Sequence, residues 1–256
     1  MAKAVGERKA APGPAGDEAI DLQKFMSRRV DWKGFNIWIV GDTPLIVHAW
    51  SEKAKREILE KQVKATRGGR EMRKPEQDFL NAFYKINDTE YGFPAMAIKN
   101  CIVSAAHKDK GIPQTVVQRA LFLYAAFYEV RPALSAAVCN MPLLKVYGSD
   151  PIMREDMGRI GTGLKKTAAL IYRPSFEQWA LNVKGKFNAA VMNYDILNFL
   201  IEESGYSAGI GEWRNERKGM FGAFHQADSD EVDAWQAFAD GKGPLPTPIQ
   251  YREAAQ

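Results

Sequence analysis

Cysteine is almost missing from this chain of 256 residues: Cys101 and Cys139 are the only two, and neither has a second Cys or a His at metal-ligand spacing. No zinc site is encoded, and so few thiols suit a reducing cytoplasm. Histidine is as scarce, with His48, His107 and His225 far apart. The sequence has no His-Glu-x-x-His, no Gly-x-Ser-x-Gly and no Walker A loop. This removes zinc-dependent peptidases, nucleophile-elbow hydrolases and P-loop nucleotide hydrolases. No run reaches the about eighteen apolar residues of a membrane span, and the first residues lack the apolar centre of a signal peptide. Internal repeats and heptads are absent too. The expectation is a cytoplasmic protein away from membranes, with neither metal nor cofactor.

Charge of one sign is not in large excess: 35 Lys and Arg stand against 31 Asp and Glu, a net +4, in a chain of ordinary 46% hydrophobic and 11% aromatic content. Its distribution is uneven. Residues 51–74 carry nine Lys or Arg against four Glu, residues 154–186 seven basic against three acidic, and residues 225–256 two basic against six acidic. A basic body with an acidic end suits a phosphate-binding face and a solubilising or self-shielding tail.

Residues 1–29 begin with a stretch rich in Ala, Gly, Pro and charge that lacks apolar periodicity, and are expected to form a flexible arm. Residues 35–40 and 43–50 read as strand, turn and strand, with His48 alternating with Ile46 and Trp50 as a core or edge histidine. A helix over 52–65 is supported by Glu52 with Arg56, Glu57 with Lys61 and Glu60 with Lys64 at four-residue spacing. That leaves Arg67, Arg70, Arg73 and Lys74 unpaired in a basic loop around Gly68 and Gly69. A helix over 76–84 puts Phe79, Leu80 and Phe83 on one face, and Asn87 and Asp88 make a turn. The next helix starts at Pro94 and turns Ile98, Cys101, Ile102 and Ala105 to the core, with Lys99 and Asn100 outside the stripe and His107 at its end.

Residues 119–130 are apolar and β-rich in their second half. Further strands are predicted at 143–147, 168–173 and 176–187, the last alternating Trp179, Leu181 and Val183 with Gln178, Asn182 and Lys184. An amphipathic helix over 193–204 is expected to stop at Gly205. A strand follows at 220–224, then a short helix at 229–240. The pattern is an α+β domain with an antiparallel, helix-covered sheet over residues 30–226, a thumb-like insertion near 148–167 and an acidic tail from 227 to 256.

The densest chemistry lies at 209–222, where Gly209, Gly211, Gly219 and Gly222 surround Trp213, Arg214, Arg217, Lys218 and Phe221. Two readings stand. Glycines can bring backbone amides to a phosphate chain while the cations meet phosphates and the aromatic faces stack bases, or the run is a glycine-turned hairpin with its aromatics packed inward. The insertion likewise suits either a mobile thumb laid over a strand or a solvated hairpin, with Arg154, Arg159, Lys165 and Lys166 around Gly158, Gly161 and Gly163. Asp150, Glu155 and Asp156 form the one acidic group to test as a nuclease site. Neighbours on a strand point to opposite faces, so Glu155 and Asp156 do not readily share an ion. His225 has no partner in sequence reach.

Three stretches, taken in order, resemble one family: Gly41-Asp42-Thr43-Pro44-Leu45-Ile46-Val47, Gly92-Phe93-Pro94-Ala95-Met96-Ala97-Ile98-Lys99-Asn100, and residues 209–222. The chain resembles the RAMP superfamily of CRISPR-associated RNA-binding proteins, in particular the Cas7 backbone subunits and their phage- or prophage-encoded relatives. The resemblance implies a ferredoxin-like, RRM-type core with inserted basic loops. It implies binding of RNA or single-stranded DNA without sequence preference, and assembly as a homo-oligomer or filament along the strand, with other ribonucleoprotein subunits as further partners. Lys99 and Asn100 would then face the strand backbone, and Trp213, Arg214, Arg217, Lys218 and Phe221 would complete the contact. Met96 departs from the small hydroxyl residue common there, and Asn100 from a frequent glycine. The other functions in view are a phage structural or host-inhibitory protein that keeps the fold without the ligand, and a metal-dependent ribonuclease of the kind some family members are.

Overall fold

A computed structural model describes residues 30–49, 74–108, 111–130, 139–160 and 167–247. The expected arm at 1–29, the helix at 52–65, the loop bearing Arg67, Arg70 and Arg73, and Lys165 and Lys166 lie outside the described residues.

Strand alternation builds the central sheet. Strand β1 (Trp32–Gly41) turns Phe35, Ile37 and Ile39 inward, and β9 (Trp179–Asn188) turns Trp179, Leu181, Val183 and Phe187 to the same side. The two pair antiparallel from Trp32 opposite Asn188 to Val40 opposite Ala180. On the other edge of β1 lies β10 (Phe224–Gln226). Two strands share the place beyond β9: β4 (Leu121–Tyr124) pairs with residues 184–187, and β6 (Cys139–Gly148) with residues 179–181. Short β3 (Gly92–Pro94) and β5 (Ala126–Val130) pair with β6.

Helix α2 (Ala95–Lys108) lies between β1 and β4 in the chain, and α4 (Tyr194–Ser207) between β9 and β10. Both pack on the inward face, α2 through Ile98, Cys101, Ile102 and Ala105, α4 through Leu197, Leu200 and Ile201. Connectivity and strand order are those of a ferredoxin-like α+β fold. Two short helices, α1 (Pro75–Asn81) and α3 (Gln114–Ala120), flank this core. Helix α1 ends before Phe83, which reaches the core from the following segment, so Leu80 is exposed rather than part of an apolar face.

Helix α4 begins at a side-chain cap, with Asn193 Oδ1 accepting from the Ile196 amide at 2.8 Å. It does not stop at Gly205. That glycine is buried inside the helix because a Cβ there would lie 1.8 Å from the Phe224 carbonyl oxygen, and the left-handed turn comes at Gly209, with φ 68°.

The sheet's other face is half covered. Helix α5 (Ser229–Ala239) lays Trp235, only 3% exposed, on Trp38, Val40 and Ala180. The stretch expected as an acidic tail is thus, over its described part, a helix with a reciprocal Asp228/Glu231 capping box.

A second sheet is built on β2 (Leu45–Ile46), which pairs with β8 (Thr167–Phe176), and β8 pairs with β7 (Ile152–Ile160) from Ser175 opposite Ile152 to Thr167 opposite Ile160. The insertion expected as a thumb is, over its described residues, a two-stranded ribbon. No helix among the described residues is long and apolar enough to cross a membrane.

Candidate nucleic-acid interface

The glycine-rich run after α4 is a loop folded on its own backbone. Gly209, Gly211, Trp213, Lys218 and Gly222 all have left-handed φ, between 55° and 80°. A Cβ on Gly219 would fall 1.6 Å from the Trp213 carbonyl oxygen, and one on Gly222 1.8 Å from that of Ile210. The amides of Ile210, Gly219 and Phe221 bond to carbonyls within the loop, of Gly222, Arg214 and Trp213 respectively. Those of Glu212 and Gly222 donate to Ile46 and Pro44, both at 2.9 Å. The glycines therefore serve close approach of the chain to itself and to the Thr43–Ile46 stretch.

The loop and the middle motif line one groove of about 390 Å³. Pro94 comes from the end of β3, Ala97 and Asn100 from the start of α2, and Gly211, Arg214 and Arg217 from the loop. Spacing explains the choice on α2: Ala97, Asn100, Cys101 and Ser104 repeat at three- and four-residue intervals and share a face, whereas Lys99, half-buried, lies off it. The Cys101 thiol, 3.3 Å from the Gly209 carbonyl oxygen and 3.4 Å from that of Ser204, ties this face to the loop. Two carboxylates, Glu212 and Glu216, also line the groove. Tyr84 completes it, and burial, aided by Glu212, pushes its phenol above the usual range. His48 lines the groove as an exposed residue; it was expected at a core or edge position, but β2 ends at Ile46 and the alternation does not continue.

Among the expected binding residues, Arg214 is a brace. Its Nε and Nη2 donate to Glu216 Oε2 at 3.1 and 2.9 Å, and its Nη1 to the Gly211 carbonyl at 3.1 Å. Arg217 and Lys218 are exposed and make no ion pair among the described residues, and Trp213 is 40% exposed. The aromatics of the loop are therefore not packed inward as a pair. Phe221 instead carries the guanidinium of Arg154 over its ring, 4.5 Å from the centroid, so the ribbon meets the loop here. Arg154 also donates to buried Asp156 at 2.9 Å, and Arg173 Nη1 stands 3.8 Å from that carboxylate. Glu155 points to the exposed side, as neighbours on a strand require. Arg159 lies in β7. Among the described residues no group of three or more His, Cys, Asp or Glu is placed to hold a metal.

One charged cluster escaped the sequence. His225 Nδ1 lies 2.7 Å from Asp42 Oδ1 and its Nε2 2.9 Å from Glu231 Oε2. Asp42 is brought by the pairing of β1 with β10, Glu231 by the capping box of α5; the spacing from Asp228 to Glu231 ahead of an apolar run was the only local signal.

No protein-family model and no curated protein matches the sequence. Among solved structures the chain is similar to Cmr6 from Pyrococcus furiosus, with 10% identity and a TM-score of 0.34, over 78% of this chain and 100% of that one.

Proposed function

We propose that the chain binds single-stranded nucleic acid, RNA or DNA, through phosphate contacts and base stacking and without reading sequence. The observation that carries this reading is the convergence of the start of α2 and the glycine-rich loop on one groove, beside the Arg154–Phe221 pair. Unpaired strands need cations to displace condensed counterions and flat groups to stack bases. Arg217 and Lys218 supply the first, Trp213 and Phe221 the second, and Asn100 adds an uncharged donor from α2. Glu216 is neutralised by Arg214, which leaves Glu212 as the carboxylate a bound strand must avoid. The ribbon acts as the thumb across the strand, and copies assemble head to tail along it, alone or with other ribonucleoprotein subunits. The burial of Asp156, a member of the one acidic group to test, beside two guanidinium groups supports a binder rather than a nuclease.

Fluorescence anisotropy with labelled oligo-U and oligo-dT, titrated over a range of salt, tests the reading. Replacing Arg217 and Lys218 together by Glu is expected to weaken binding about tenfold or more and to flatten the dependence of log K on log salt by ~0.7 for each lost phosphate contact. Unchanged affinity and slope would remove the groove from the interface.

A further inference from the structure

Among the described residues, helix α5 covers only half of the outer sheet face. The residues turned away from α2 and α4 on the other half are Trp32 and Asn36 on β1, Lys184 and Lys186 on β9, and Phe122 and Tyr124 on β4. Register arranges them in two rows. Lys186 lies opposite Phe122 and within reach of Trp32, its Nζ 5.5 Å from the first ring centroid and 4.9 Å from the second. Lys184 lies between Asn36 and Tyr124. Phe122 and Tyr124 are 52% and 50% exposed and meet edge to face at 5.9 Å. The second row borders a hollow of about 470 Å³ that takes in Trp38, Lys145 and Tyr147. None of the described residues pointing outward from β1, β4 and β9 is acidic.

Large aromatic rings dominate burial energetics, and three left exposed side by side on one sheet mark a surface with an occupant. The chemistry narrows what it is. An apolar protein face would not call for a row of lysines between the rings. A polyanion whose flat groups are free to stack calls for both. We infer that this half of the sheet is a second binding surface for unpaired nucleotides, with bases stacked on Trp32, Phe122 and Tyr124 and phosphates met by Lys184 and Lys186. The inference rests on the nucleic-acid reading above for the class of ligand, and on different residues for the site.

The test uses the full chain and the same labelled oligo-U and oligo-dT. Phe122→Ala and Tyr124→Ala are each expected to weaken binding by about 5- to 100-fold, while Phe122→Trp and Tyr124→Phe retain it. Lys184→Ala, an exposed change that spares the core, is expected to lower the salt slope by ~0.7. Circular dichroism melts confirm that each variant is folded, and photo-cross-linking with a 4-thiouridine strand is expected to label the peptide holding Phe122 and Tyr124. Wild-type affinity in both alanine variants and an unaltered slope in Lys184→Ala would overturn the inference, and would leave the groove standing if the Arg217/Lys218 double variant still loses binding. Gel filtration supplies a separate refutation: if the alanine variants bind normally but dissociate an oligomer, the face joins copies of the chain. Failure of the unaltered chain to bind either strand would end both readings.

Discussion

His225 is gripped at both ring nitrogens by carboxylate oxygens, and each nitrogen must donate, so the ring is an imidazolium. Its pKa is pushed up to about 9, chiefly by the hydrogen bond to Asp42, with burial pulling it down and Glu231 adding to the rise. A folded-state value above the ordinary 6.5 gives a stabilisation that is complete below about pH 6.5 and is lost as pH climbs through about 9. Converted through the two pKa values, it is worth about 3 kcal/mol. Urea denaturation at a series of pH values is expected to show the unaltered chain losing that much across this window, whereas His225→Gln is less stable at neutral pH and lacks the slope. Parallel curves for the two proteins would show that the ring is not held as a cation. Arg214 teaches a related lesson: a loop arginine that reads as a ligand contact is committed to Glu216 and a main-chain carbonyl before any ligand arrives.

Helix α4 and the glycine-rich loop show what glycine does when two elements cross. In an exposed helix interior, replacing glycine by alanine stabilises by roughly 0.5–1 kcal/mol, because glycine surrenders more backbone freedom on folding. Gly205 reverses that sign. Its missing Cβ is the space occupied by the Phe224 carbonyl, so alanine there must push β10 away from α4. Gly205→Ala is expected to lower the urea midpoint, with a loss of about 1–3 kcal/mol from overpacking. A rise in midpoint would mean that the strand gives way freely. The same reasoning applies to Gly219 and Gly222, whose neighbours are main-chain carbonyls that cannot rotate aside. A sequence displays these glycines without displaying whether a ligand or the protein's own backbone fills the space beside them.

Much of the fold was legible because it is written in local periods. The two-residue alternation of β9 and the three- and four-residue stripe of α2 each place their core residues correctly, and the order of elements then yields an antiparallel, helix-covered sheet, whose ferredoxin-like form was an expectation from the resemblance. Exposed members of the groove, Asn100 and Arg217, were legible as residues off the apolar stripe or in a glycine-rich turn. What alternation cannot tell is which sheet face receives a cover. Trp32, Phe122 and Tyr124 therefore carry no local mark of exposure, whereas Trp38, on the same face, is buried under α5 and beside Tyr147. Nor can spacing reveal a partner such as Asp42, far along the chain from His225. The acidic composition of residues 227–256 likewise hides Trp235, which decides how that segment behaves. If α5 is part of the domain, Trp235→Ala opens a cavity against Trp38, Val40 and Ala180 and is expected to cost about 3–5 kcal/mol. The cost should appear as a lower urea midpoint with one cooperative transition. Ending the chain after Gln226 bares the same apolar strip and removes Glu231 from His225, so that variant is expected to aggregate or melt well below the full chain. A truncated protein with the full chain's midpoint would show instead that the sheet is complete without its last helix.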